Sequence, residues 1–111
     1  MVKRKVIWIK NAEIQMFSIM DYYFERNKST IYSLKLYNEI NLKLKNLDIS
    51  IALPQKTSLE NIYFFTHNHI SVFFSFENKI VIVKLIWDER RNPKNLLEKL
   101  NDILKLQMLF N

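Results

Sequence analysis

The chain contains no glycine. Glycine normally supplies left-handed backbone at tight turns and lets a main chain approach a phosphate closely. Its absence excludes the glycine-dependent phosphate loops, including the Walker and dinucleotide fingerprints. Turns must instead rely on Asn, Asp and Ser, which tolerate positive φ better than other residues that carry a side chain. There are also no cysteines. That removes disulfide scaffolds, thiolate metal sites and cysteine nucleophiles, and it suits a reducing compartment.

At 111 residues the expectation is a single domain, because two would each be too small to bury a good core. Hydrophobic residues make up 49% of the chain, too many for a disordered one. The formal charge is +6, from 17 Lys and Arg against 11 Asp and Glu. This balance favours polyanionic partners, or else a lysine-rich solvated surface. Basic Met1-Val2-Lys3-Arg4-Lys5 leads only into Val6-Ile7-Trp8-Ile9, far short of a signal-peptide core, and no apolar run has the length of a membrane span. A soluble, cytoplasmic protein without a membrane partner is expected.

The pattern predicts an α+β fold: an N-terminal strand, an antiparallel two-helix hairpin, a three-stranded antiparallel meander and a C-terminal helix. Lys5 to Ile9 is a short β-rich run, apolar on both faces and therefore expected to be covered on both. Asn11 is a suitable N-cap for a helix from Ala12 to about Arg26, with Ala12, Met16, Ile19, Met20 and Tyr23 on one face. Ser29 is a suitable N-cap for a second helix to about Leu47, striped by Ser33, Leu36, Tyr37, Ile40, Leu44 and Leu47. So short a break between helices implies a hairpin. Asp48 to Leu59, with Pro54, reads as a loop.

The meander follows. Asn61 to Thr66 is its first strand and Thr66-His67-Asn68-His69 its first turn. Ile70 to Phe76 alternates, with Ile70, Val72, Phe74 and Phe76 on one face and Ser71, Phe73 and Ser75 on the other. Glu77-Asn78-Lys79 is the second turn. Ile80 to Trp87 is apolar on both faces apart from Lys84, which suggests a central strand. Asn92-Pro93 is an N-cap followed by an N1 proline. The helix it opens carries Leu96, Leu97, Leu100, Ile103, Leu104 and Met108 on one broad face.

The order of these elements resembles the RelE/ParE superfamily of toxins from bacterial type II toxin–antitoxin modules. The likeness runs from about Lys5 to Leu97. It rests on Val6-Ile7-Trp8-Ile9, on Ala12 at the head of the first helix and on Asp21-Tyr22-Tyr23 late in it. The Leu36, Ile40 and Leu47 stripe and the proline loop add to it, as does the closing Ile86-Trp87-Asp88-Glu89-Arg90-Arg91-Asn92-Pro93. The resemblance implies a helical hairpin packed on a twisted antiparallel sheet, no cofactor, and a cognate antitoxin that wraps the toxin. It implies one of two activities: binding and stalling DNA gyrase, as ParE-like members do, or cutting mRNA on the ribosome without a metal, as RelE-like members do.

Metal-free RNA cleavage requires a base for the 2′-hydroxyl, charge stabilisation at phosphorus and an acid for the leaving oxygen. Arg91 matches the superfamily arginine ahead of the final Asn-Pro and would clamp a phosphate, or would pair with Asp88. Arg90 reads as a solvated charge that could join it. Lys84, on the strand face shared by Ile80, Ile82 and Ile86, is either functional or snorkels from a sheet edge. His67 and His69 flank Asn68; each is a candidate acid or base or a plain turn residue, and without a third ligand they do not make a metal site. The strand Asn61-Ile62-Tyr63-Phe64-Phe65 has no base, Ile70 and Phe74 stand where a Tyr is usual, and Asp88 stands where a His is common. These departures tilt the reading towards a protein-binding toxin. A basic nucleic-acid-binding module with no toxin role is the third reading.

Phe17 and Phe24 on the first helix, Ile31 and Leu42 on the second, and the Leu-rich tail after Pro93 exceed what one small core needs. The first four are the candidate antitoxin-binding residues. Homodimerisation is the alternative use of that surface.

Overall fold

A computed structural model describes residues 4–47, 55–56, 61–90 and 98. The elements are β1 (Lys5–Trp8), α1 (Lys10–Asn27), α2 (Ile31–Lys45), β2 (Gln55–Lys56), β3 (Tyr63–His67), β4 (Ile70–Glu77) and β5 (Ile80–Asp88). The expected C-terminal helix lies outside the described residues apart from Glu98, which is helical and exposed.

The two helices follow their apolar spacing. On α1 the buried residues are Ala12, Met16, Ile19 and Tyr23; on α2 they are Ser33, Leu36, Ile40 and Leu44. Each recurs every three or four positions, so each helix turns one stripe inward. Fully buried Leu36, Ile40 and Leu44 each contribute about 1.5–3 kcal/mol by leaving water. The hairpin is antiparallel: Tyr23 packs edge-on against Tyr32, and Phe17 lies near Tyr37 further along. Between these contacts the buried Ser33 hydroxyl donates to the Met20 carbonyl at 2.7 Å, so a small polar residue lets the two backbones come close.

The caps differ from expectation. α1 starts at Lys10, with Ile9 at the N-cap and no side-chain cap bond, so Asn11 is inside the helix. α2 starts at Ile31 and stops at Lys45, short of Leu47. Thr30 occupies its N-cap position without a side-chain bond, and Ser29 one residue earlier accepts from the Ile31 N–H at 3.2 Å.

The sheet is mixed, in the order β1-β5-β4-β3-β2. The expected meander β3-β4-β5 is there, but it is extended at both edges. β1 pairs in parallel with β5, and the two-residue β2, inside the expected loop, pairs with β3. β5 is therefore central, as its two apolar faces suggested. β1 is an edge strand: Val6 and Trp8 pack on the core, while Ile7 on its other face is exposed. The expectation of cover on both faces of β1 was wrong. Where β1 ends, α1 takes over the edge of β5, and the Gln15 side-chain oxygen accepts from the Ile86 N–H at 2.9 Å.

Asparagine does the work of the missing glycines. Five described residues have positive φ: Lys28, Asn61, Asn68, His69 and Asn78. Three of them are Asn, the residue best able to adopt this geometry after glycine. Asn68 (φ 48°) and His69 (φ 67°) form the two-residue turn between β3 and β4. This is the pair of positive angles that a type I′ hairpin turn requires, and its twist matches the strands it joins. His67 is accordingly a strand residue, paired with Ile70, and not part of the turn.

One irregularity sets the faces of β5. Phe73 pairs with Leu85 and Phe74 with Val83, so Lys84 is an extra residue with no partner position on β4. This is a β-bulge, and it reverses the inward–outward alternation beyond it. Val81, Val83 and Ile86 join the core beneath the helices, whereas Leu85 and Trp87 face the other way. Lys84 does not share a face with Ile86 as the plain alternation implied.

The main core lies between the helical hairpin and one sheet face, and includes Met16, Ile40, Ile70, Val72, Phe74 and Val83. A second buried cluster of Ile62, Phe73, Leu85 and Trp87 lies on the opposite face, with Phe64 packed against it.

Candidate functional site

Of the residues expected to carry RNA chemistry, Lys84, His67, His69 and Arg90 are among the described ones. Arg91 lies outside the described residues. Arg90 is no freely solvated charge: its Nε donates to Asp88 Oδ1 at 3.0 Å and one terminal nitrogen donates to Asp88 Oδ2 at 2.8 Å. The same nitrogen donates to the Tyr23 hydroxyl at 2.8 Å, and the guanidinium carbon stands 5.8 Å from the centre of the Tyr23 ring. The hydrogen bonds and the charge of Asp88 push Arg90 further above its already high pKa. This fork-to-fork pairing fixes the guanidinium as a clamp between the end of β5 and α1. Arg90 pairs with Asp88, while the pairing offered for Arg91 lies outside the described residues.

Lys84 occupies the mid-strand bulge and is half-buried. The bulge itself explains a lysine in so apolar a run: the extra position leaves the ladder, and a long stem can carry the ammonium to water. His67 turns towards the helices. Its Nε2 lies 2.7 Å from a carboxylate oxygen of Glu39 on α2, and Lys35 approaches the other oxygen at 3.9 Å. The histidine side chain is only 12% exposed, so it is a strap between β3 and α2, poorly placed to meet a substrate. His69 sits exposed in the I′ turn, where its carbonyl accepts from the Glu89 N–H at 2.9 Å. Among the described residues no group of three metal-ligating side chains occurs.

The sheet face away from the helices carries its own polar cluster, which the sequence did not signal. Ser71 donates to Glu89 Oε1 at 2.8 Å, Thr66 donates to the same oxygen at 3.2 Å, and the two hydroxyls are 3.3 Å apart. Ser71 and Thr66 are cross-strand partners, and the bulge brings Glu89 to their side. A carboxylate at this end repels phosphate, and beside it lies the apolar cluster of Ile62, Phe73, Leu85 and Trp87. Nothing in this arrangement resembles a phosphate clamp.

The outer side of the hairpin is different. Phe17, Phe24, Ile31 and Leu42 are between 42% and 76% exposed, and Ile14, Tyr22 and Leu34 are exposed as well. Phe17 lies with its ring centre 6.4 Å from that of half-buried Tyr37, so an aromatic shelf continues from α1 onto α2. The exposed charges of the hairpin are of both signs: Lys10, Lys35, Lys43 and Lys45, and also Glu13, Asp21 and Glu25.

Among the described residues no helix is long and apolar enough to cross a membrane. No protein-family model matches the sequence, and no curated protein matches it. The fold has a counterpart among solved structures. A chain of the chromosomal ParDE TA (toxin–antitoxin) system from P. aeruginosa superposes with a TM-score of 0.61. The match covers 76% of this chain and 94% of that one at 15% sequence identity. At that identity the likeness is one of fold.

Proposed function

We propose that this chain is the toxin of a type II toxin–antitoxin pair in the RelE/ParE superfamily, and that it acts by binding an essential protein such as DNA gyrase. The observation that carries the reading is the fold likeness, which spans 94% of a chain from a ParDE TA system. In this reading the outer side of the hairpin, with Phe17, Phe24, Ile31 and Leu42, receives the antitoxin. Exposed apolar residues there have no role in the main core and are free to be covered by a partner.

Ribosome-dependent mRNA cleavage, the other activity of the superfamily, has less support. Arg90 is committed to Asp88, His67 to Glu39, and the sheet face away from α1 and α2 carries the carboxylate of Glu89 beside Ser71 and Thr66. Purified chain titrated against gyrase supercoiling and against ribosomes translating a defined mRNA separates the two. Inhibited supercoiling with intact message is the expected result. Codon-phased cuts in the message with unaffected supercoiling would establish the nuclease instead.

A further inference from the structure

The exposed charges of the hairpin are sorted by helix. α1 carries Glu13, Asp21 and Glu25, with Lys10 and Arg26 towards its two ends. On α2 the exposed charges are all lysines, Lys35, Lys43 and Lys45, and the helix's one acid, Glu39, is half-buried against His67. Among these charges stand exposed Ile14, Phe17 and Phe24 on α1, and Ile31, Leu34 and Leu42 on α2. A partner of one sign would match one helix and be repelled by the other. A second copy of the same hairpin carries both halves of the match.

The register of the hairpin fixes how two copies fit. Tyr23 packs on Tyr32, Ser33 bonds the Met20 carbonyl and Phe17 lies near Tyr37. Each step along α1 is therefore matched by one step back along α2. On that ladder Phe24 is level with Ile31, while Asp21 and Ile14 lie within about 4 Å of the levels of Lys35 and Leu42. We propose that two copies of this chain pair through the outer side of the hairpin, about a two-fold axis parallel to the helices, with α1 of each lying on α2 of the other. Such an axis exchanges the helices and keeps every residue at its own level. Asp21 then meets the partner subunit's Lys35, and Phe24 and Ile14 cover the partner subunit's Ile31 and Leu42. Lys10, brought near the level of the partner subunit's Lys45, is the one like-charge approach among these pairs. A two-fold axis across the helices would instead set α1 on α1 and stack acid on acid. The 18 residues of α1 span about 27 Å and two helices abreast about 20 Å. That outline of roughly 500 Å², enlarged by side-chain relief, approaches the about 800 Å² per partner of a stable dimer. A protein that uses this side, as the proposed antitoxin does, must displace the second copy.

Sedimentation equilibrium of the purified full-length chain over a concentration series tests this. A reversible monomer–dimer equilibrium is expected, and added salt should weaken the dimer. Phe17→Asp should weaken it at least about tenfold. Asp21→Lys and Lys35→Glu should each weaken it severalfold. Both together in one chain should restore it, and mixing the two single variants should give a heterodimer, because each then offers the charge the other lacks. Circular dichroism checks that each variant is folded; should Phe17→Asp fail to fold, the charge reversals decide. A chain that stays monomeric at millimolar concentration overturns the proposal. So does a dimer indifferent to Phe17→Asp, or one that both reversals weaken and their combination does not restore. The test does not use toxicity: a toxic monomer would refute the dimer alone, and a non-toxic dimer the toxin reading alone.

Discussion

The Arg90 guanidinium donates to the Tyr23 hydroxyl at 2.8 Å, joining the end of β5 to α1 across 67 positions of sequence. The same guanidinium donates to both carboxylate oxygens of Asp88. Arg90→Ala is therefore expected to lower the thermal midpoint, and Tyr23→Phe to lower it by less, since the ring stays packed. Combining them should cost less than the sum of the two, because they share one bond. A double-mutant cycle by thermal melting checks this. Strict additivity would show that the two residues act independently.

The bulge makes an unusual prediction about a deletion. Removing Lys84 leaves Val83 facing the helices, Leu85 facing away and Ile86 facing the helices, which is the arrangement already present. The shortened chain should fold, with a stability change of about 1 kcal/mol or less. Removing Val83 instead places Lys84 in the core position opposite Phe74, and an unpartnered buried ammonium costs at least several kcal/mol. Urea denaturation of the two deletion variants tests the assignment of the extra residue.

Lack of glycine leaves stability to be gained. Lys28 ends α1 in the left-handed region at φ 54° and ψ 34°. Its ion pair with Glu25 is exposed on both sides and so worth little. Lys28→Gly should raise stability by about 0.5–1 kcal/mol, because glycine adopts this geometry without steric cost. Chemical denaturation measures it directly.

Phe17 and Phe24 bear on the proposed partner. They are exposed and outside the main core, so Phe17→Asp and Phe24→Asp should change stability by only about 0.5 kcal/mol. The same substitutions should weaken antitoxin binding at least about tenfold, equivalent to about 1.4 kcal/mol. Calorimetric titration of each variant with the antitoxin separates the two effects. Unchanged affinity in both would move the antitoxin site off this surface.

Local patterns made the helices legible. Ala12, Met16, Ile19 and Tyr23 repeat at helical spacing, and all four are buried. The alternation of β4 likewise assigned Ile70, Val72 and Phe74 to the core and Phe73 to the other face. What escaped was non-local. Glu39 meets His67 from 28 positions away, and Tyr23 meets Arg90 from further still, so no spacing rule links them. The bulge was hidden because Ile80 to Trp87 is apolar on both faces, and a one-residue slip leaves such a pattern looking the same. The lone Lys84 in that run was its one visible sign. The residues proposed to bind a partner were legible as surplus: Phe17, Phe24, Ile31 and Leu42 fell outside the main stripes and are exposed in the fold.

The central claim, that this chain is a toxin held by a partner, is tested most directly by growth after pulsed induction. Soluble, folded product should be measured in the same cultures. The account predicts arrest within a few generations, with filamentation and a DNA-damage response, and rescue when a cognate antitoxin is co-expressed. Normal growth with abundant folded product and no such partner present would contradict it.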